Sequence, residues 1–178
     1  PGAAVQAPFA LADDEEQEII FMLGAAQSAE DALSLARSVR EPGAADSALE
    51  RVRGFWDNLL GAVQVKTPDP AFDIMFNGWL LYQSLSSRIW GRSGYYQSGG
   101  AFGYRDQLQD AMTFAHAAPN ILRDQILLCA SRQFVEGDVQ HWWHPPQGRG
   151  VRTRCSDDYL WLPLATCRYV LCTGDADI

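Results

Sequence analysis

Lysine is almost missing from this chain: Lys66 stands alone beside thirteen arginines in 178 residues. The basic residues are scattered, and 22 acids outweigh them to a net charge of −8. Duplex nucleic acid needs a basic stripe, and none is present, so nucleic-acid binding is excluded. Long apolar runs are absent as well. The longest near the start, Ile19-Ile-Phe-Met-Leu23, is too short to cross a bilayer, and no charged-then-apolar leader precedes it. No membrane contact is expected from this segment, although a parent protein can still be membrane-bound. Cysteine is sparse and unpatterned. Cys129, Cys155, Cys167 and Cys172 show no C-x-x-C spacing, which argues against a zinc site. The thiols are expected to be reduced and buried, with Cys167 and Cys172 in helix packing, and that usage fits the cytoplasm.

What is present is ordinary in bulk and uneven in detail. An apolar share of 47% with 20% charged residues is that of a soluble globular chain, long enough for one domain or a little more. Eleven of the acids but only four basic residues fall in residues 1–60, and Asp13-Asp-Glu-Glu16 reads as a solvated loop.

The pattern along the chain changes character once. Phe9 to Leu23 reads as two short strands around that acidic turn, the tail of a β-domain. Helices follow. Ser28 caps one that carries Ala32, Leu35, Ala36 and Val39 on one face and stops at Pro42-Gly43. Ser47-Ala-Leu-Glu50 reads as a second capping box. Asp69-Pro70 starts a third helix, expected to run to about Arg92. Further helices are predicted from about Arg105 to Ala117, from Asn120 to about Phe134, and from about Leu162 to Cys172, since Pro163 argues against an earlier start. Residues 137–157, with Pro145-Pro146 and three glycines, read as a long functional loop.

Two blocks carry the chemistry. The first is Asn77-Gly-Trp-Leu-Leu-Tyr-Gln83 with Tyr95-Tyr-Gln-Ser-Gly-Gly-Ala-Phe-Gly-Tyr-Arg-Asp-Gln-Leu-Gln-Asp110. The second runs from Gln133 through His141-Trp-Trp-His144 to Arg152-Thr-Arg-Cys-Ser-Asp-Asp-Tyr-Leu-Trp-Leu-Pro163. Rings, amides, paired acids and arginines together suit a sugar. Rings cover the apolar face of a pyranose, while charged groups take its hydroxyls. His141 and His144 suggest a metal at first sight, but no third ligand has a suitable spacing.

At these blocks the sequence resembles glycoside hydrolase family 94, the inverting disaccharide and oligosaccharide phosphorylases. It is most like the phosphorylase-like C-terminal region of cyclic β-1,2-glucan synthases. The resemblance covers roughly residues 50–178. It implies a mainly α fold, with residues 1–25 ending a β-sandwich, 26–60 forming a helical linker, and 61–178 forming the N-terminal half of an (α/α)6 catalytic barrel. The implied activity is phosphorolysis or processing of β-linked glucan, with inorganic phosphate as co-substrate and no cofactor. The implied partners are an oligo- or polysaccharide and phosphate, with a homodimer as a further expectation. The place would be the cytoplasm or the cytoplasmic face of the inner membrane. A glucan-binding module without turnover and an (α/α)6 hydrolase remain as alternatives.

The family's Arg-Asp doublet at the glucosyl subsite falls on Arg105-Asp106. Asp106 would accept sugar hydroxyls and Arg105 would orient it, against the alternative that both cap the helix starting there. Asp157-Asp158 with Trp161 matches a doublet near the sugar, where N-capping is the competing role. Trp142, Trp143 and Gln97 are candidate sugar contacts. Arg88 and Arg92, one helical turn apart, either face phosphate together or cap their helix. Where some family members carry an arginine six residues before the subsite Asp, this chain has Gly100. The family's general acid lies in a Trp-Asn-Asp-type motif that does not occur within residues 1–178, so no catalytic acid is assigned here.

Overall fold

The computed structural model describes residues 3–92 and 99–178. Helix predominates, with one small antiparallel sheet. Packing divides the chain into two compact units, Pro1–Gly54 and Phe55–Ile178.

In the first unit the acidic turn forms, with Asp14 in the left-handed region and the Ala12 N–H held by the Glu15 carboxylate at 3.0 Å. The two expected strands around it do not. A strand exists only through a ladder, and the described residues from 3 to 28 supply none. Helix α1 (Ala29–Ser38) starts as the sequence predicts, Ser28 Oγ accepting from the Asp31 N–H at 3.1 Å. Helix α2 (Ala44–Gly61) begins one turn before the Ser47 box, because the chain passes straight from the left-handed Gly43 into helix.

In the second unit, Asp69 caps and Pro70 opens a helical rod that continues to Trp90. It alternates α3 (Pro70–Ile74) and α4 (Leu80–Gln83) with two wide π-helical stretches, Met75–Trp79 and Ser84–Trp90. The Asn77 amide brackets Val65, donating to its carbonyl and accepting from its N–H at 2.8 Å each, and Asp73 holds Thr67. Those bonds fasten the incoming segment to the rod. Trp79 and Tyr82 join Phe55, Trp56 and Trp90 in an aromatic cluster. Asn77, Trp79 and Tyr82 thus hold the rod to its neighbours, where the sequence block suggested sugar contacts.

Helix α5 (Tyr104–Ala111) and α6 (Pro119–Ala130) pack with α7 (Asp158–Thr173) around Leu108, Ala111, Leu122, Ile126 and Ala165. Pro119, not Asn120, opens α6. Helix α7 starts four residues earlier than expected and contains Pro163, forgoing the bond that residue would give the Tyr159 carbonyl. It ends at left-handed Gly174, as the sequence indicated.

The expected long loop is in fact a hairpin. Strand β2 (Val139–His144) pairs antiparallel with β3 (Arg149–Thr153) and with the two-residue β1 (Phe102–Gly103). Gly150 lies so close to its partner strand that a Cβ there would collide with the Trp142 carbonyl. Trp143 is fully buried, stacked on Phe102 with centroids 5.5 Å apart, and Arg132 lies over its face. A proline pair and glycines read as loop because they form the turn and the close approach of a short hairpin.

Candidate functional site

A cavity of about 160 Å³ opens where β1 runs into α5 beside β2, lined by Gly103, Tyr104, Arg105, Asp106, His141 and Trp142. The entry to α5 is set by Gln107. Its buried carbonyl oxygen accepts from the Gly103 N–H, which places Arg105 and Asp106 on the first turn. A side chain at Gly103 would press on the Asp106 carboxylate and on Gln107 at 3.3 Å each. Among the described residues no side chain gives α5 or α7 a capping hydrogen bond, although Asp106 and Asp158 stand in the first turns of those helices.

Arg105 gives one short bond, Nη1 to Asp157 Oδ2 at 2.7 Å. That bond holds the Asp157 carboxyl below the usual carboxylate range. Among the described residues Asp106 has only long contacts, 3.5 Å to Arg105 Nε and 3.9 Å to Arg88 Nη2. Its oxygens therefore keep most of their capacity to accept. Arg88 gives its short bond, 2.6 Å, to Asp110. Burial pushes the Asp110 carboxyl up, with Arg88 opposing it.

The acids of the 157–158 doublet diverge. Asp158 is 1% exposed and meets His141, Nδ1 to Oδ2, at 2.7 Å. Its Oδ1 and the hydroxyl of fully buried Tyr104 have no hydrogen-bond partner among the described residues. Burial raises the Tyr104 hydroxyl well above its ordinary pKa.

Folding does bring a third potential ligand to His141 and Asp158, namely Cys155, with one donor atom from each residue within 4.8 Å of the others. The sequence spacing did not reveal it. Two ligands of a tetrahedral zinc stand about 3.3 Å apart, given bonds of about 2.0–2.1 Å. A 2.7 Å separation between Nδ1 and Oδ2 is instead that of a hydrogen bond. Asp157 pushes the Cys155 thiol up, with desolvation adding to it, the opposite of what a metal thiolate needs. His141 and Asp158 are a hydrogen-bonded pair with the Cys155 thiol nearby.

The remaining candidates separate. Trp142 lines the cavity, whereas Trp143 is core. Arg88 and Arg92 do not share a helical face. Arg92 lies past the rod's end in left-handed backbone, with φ 48°, donates to the Gly100 carbonyl at 3.0 Å and sits over Phe102. Gln97 is outside the described residues. Cys129 is buried as expected, its thiol pushed up to about 12 by burial, but Cys155, Cys167 and Cys172 are exposed. Helix α7 is apolar on nearly every side, so sequence alone does not separate its inner and outer faces.

Comparison with known proteins adds a family. The model of the glycosyl hydrolase 94 superfamily catalytic domain matches residues 55–178. The chain is similar to cyclic β-(1,2)-glucan synthase NdvB of Rhizobium meliloti (strain 1021), 49% identical over 166 residues, which is 92% of this chain and 6% of that protein. N,N'-diacetylchitobiose phosphorylase of Vibrio proteolyticus is 29% identical over 195 residues, 94% of this chain and 24% of the relative. Solabiose phosphorylase of Paenibacillus borealis is 26% identical over 167 residues, 94% and 20% respectively. The chain thus spans at most a quarter of these relatives' length. No helix among the described residues is long and apolar enough to cross a membrane.

Proposed function

Because the chain belongs to the glycosyl hydrolase 94 superfamily, we propose that it contributes the glucosyl-binding wall of an enzyme that processes β-linked glucan, β-1,2 in particular, by inverting phosphorolysis. The observation that carries this is the 49% identity to a cyclic β-(1,2)-glucan synthase over nearly the whole chain. Placement of Arg105 and Asp106 on one cavity wall supports it.

In this reaction phosphate attacks the anomeric carbon as an anion and needs no general base. A single acid protonates the leaving oxygen. The residues in hand do the positioning. Asp106, with its oxygens nearly free, accepts sugar hydroxyls; Arg105, fixed by Asp157, holds that wall in register; Trp142 offers a ring to the pyranose. Arg88 and Arg92 remain the phosphate candidates, although each is engaged elsewhere, Arg88 with Asp110 and Arg92 with the Gly100 carbonyl. The acid belongs to the Trp-Asn-Asp motif, which residues 1–178 do not contain.

In the same proposal α5, α6 and α7 are helices of an (α/α)6 barrel, residues 1–25, whose described part has no ladder of its own, pair only as the end of a β-sandwich, and 26–60 form a helical linker. Leu160, Leu164 and Leu171 lie exposed along one side of α7, as befits a helix that packs against further helices.

The test is product analysis with the natural full-length protein, β-1,2-glucan and inorganic phosphate. Release of α-glucose 1-phosphate supports the proposal. Phosphate-independent release of free sugar makes the protein a hydrolase, and glucan binding without either product makes it a binding module.

A further inference from the structure

We propose that His141 is itself a saccharide-contacting residue, aimed by Asp158, whose free ring nitrogen takes one hydroxyl of the glucosyl unit. This rests on the cavity being a glucosyl subsite, as proposed above.

His141 sits at an irregularity of β2, where the register to β3 shifts between Gln140 and Trp142. Such a bulge re-aims a side chain out of the pleat. The ring lines the cavity with Arg105, Asp106 and Trp142. Its Nδ1 is tied at 2.7 Å to Asp158, which stands at the first residue of α7 and is 1% exposed, so the pair is anchored in the core. The imidazole keeps 32% of its surface, and among the described residues Nε2 makes no hydrogen bond. A histidine held by a buried carboxylate through one nitrogen presents the other to solvent or ligand.

The tautomer decides what that ligand is. In the neutral ring, Nδ1 facing a carboxylate oxygen carries the hydrogen, which leaves a lone pair on Nε2; a protonated ring presents an N–H there instead, and a sugar hydroxyl can meet either. A lone pair beside the Asp106 carboxylate disfavours a phosphate oxygen and suits a donor. A sugar hydroxyl is such a donor, and its own oxygen can in turn accept from Arg105. His141 therefore belongs to the polyol side of the site and adds a second acceptor next to Asp106.

The test is a cycle between side chain and hydroxyl group. Glucose and its monodeoxy analogues are titrated calorimetrically into the natural full-length protein and into His141→Ala. Melting curves are taken for both proteins. Removing the contacted hydroxyl should weaken binding to the wild type by about tenfold. His141→Ala should bind glucose about as weakly as the wild type binds that one analogue, and should show no further loss with it. A merely structural histidine gives equal losses with every analogue, and that outcome overturns the assignment. If the alanine variant does not fold, His141→Asn keeps an amide donor for Asp158 but is too short to reach the ligand, and it must give the same pattern. Wild-type protein that binds none of these sugars overturns the subsite, and His141 with it. Binding with additive losses overturns His141 alone.

Discussion

Arg152, on the outer strand of the hairpin, meets Asp138 through two bonds of 2.6 Å and Glu136 through a third of 2.9 Å, and its guanidinium lies 4.0 Å from the centre of the Phe134 ring. Arg105, at the cavity, makes one short bond, and the acid beside it is left with contacts of 3.5 and 3.9 Å. Both regions are built from arginine and aspartate. In the first, both oxygens of Asp138 are taken by Arg152, so the cluster pins the hairpin to the loop between α6 and β2. In the second Asp106 keeps its oxygens open next to a cavity, and His141 keeps a nitrogen. Unspent hydrogen-bonding capacity at a concave surface, rather than residue type, marks the place for a ligand. Trp143 and Trp142 repeat the contrast: one is sealed between Phe102 and Arg132, the other borders the cavity.

The largest effect should come from that tryptophan pair. Trp143→Ala empties a fully buried site, and such truncations cost about 3–5 kcal/mol. Trp142→Ala should barely move the melting temperature and should weaken saccharide binding instead. A Trp142 variant as unstable as the Trp143 one would erase the distinction between the two sides of the hairpin.

The second test exchanges the acids. Asp106→Asn keeps size and removes a charged acceptor, so kcat/KM in the full-length protein should fall about ten- to hundredfold, with little change in thermal stability. Asp138→Asn should do the reverse, lowering the melting temperature with kinetics intact. Acid titration sharpens this further. The hydrogen bond from Arg152 holds the Asp138 carboxyl below its ordinary value of 3.8. Its stabilisation is therefore fully present above about pH 4 and is lost as pH falls through the lower folded-state value. The gap in melting temperature between wild type and Asp138→Asn should be constant near neutrality and should narrow only in that acid range. A gap that closes at neutral pH would mean that Asp138 acts through something other than Arg152.

These contrasts explain what the sequence could tell. Helix starts such as Ser28 and Asp69-Pro70 were legible because a cap is satisfied within three residues. The Arg105-Asp106 doublet was legible as a motif. The hairpin was not, because the bulge at His141 breaks the two-residue alternation that reveals a strand, and its turn residues imitate a loop. The amides of Asn77 and Gln107 looked like ligand contacts, yet each satisfies backbone groups brought near by the fold. Pairing of His141 with Asp158, and the nearness of Cys155, join residues 14 to 17 positions apart through a hairpin that the sequence did not announce.

The smallest effect concerns that cysteine. Cys155, Cys167 and Cys172 are all exposed, so exposure alone would make them equally reactive. Cys155 differs because Asp157, the acid that also holds Arg105, stands two residues away and pushes its thiol up. Thiolate is the reactive species, so at mildly alkaline pH Cys155 should be alkylated several times more slowly than Cys167, while buried Cys129 reacts only on unfolding. Asp157→Asn removes the charge that disfavours the thiolate and should bring the Cys155 rate up towards that of Cys167. The same substitution unties Arg105, so saccharide binding should weaken in parallel. Mass-spectrometric alkylation rates for each cysteine in the two proteins decide the matter. If Cys155 is already as fast as Cys167 in the wild type, Asp157 does not act on the thiol and serves Arg105 alone.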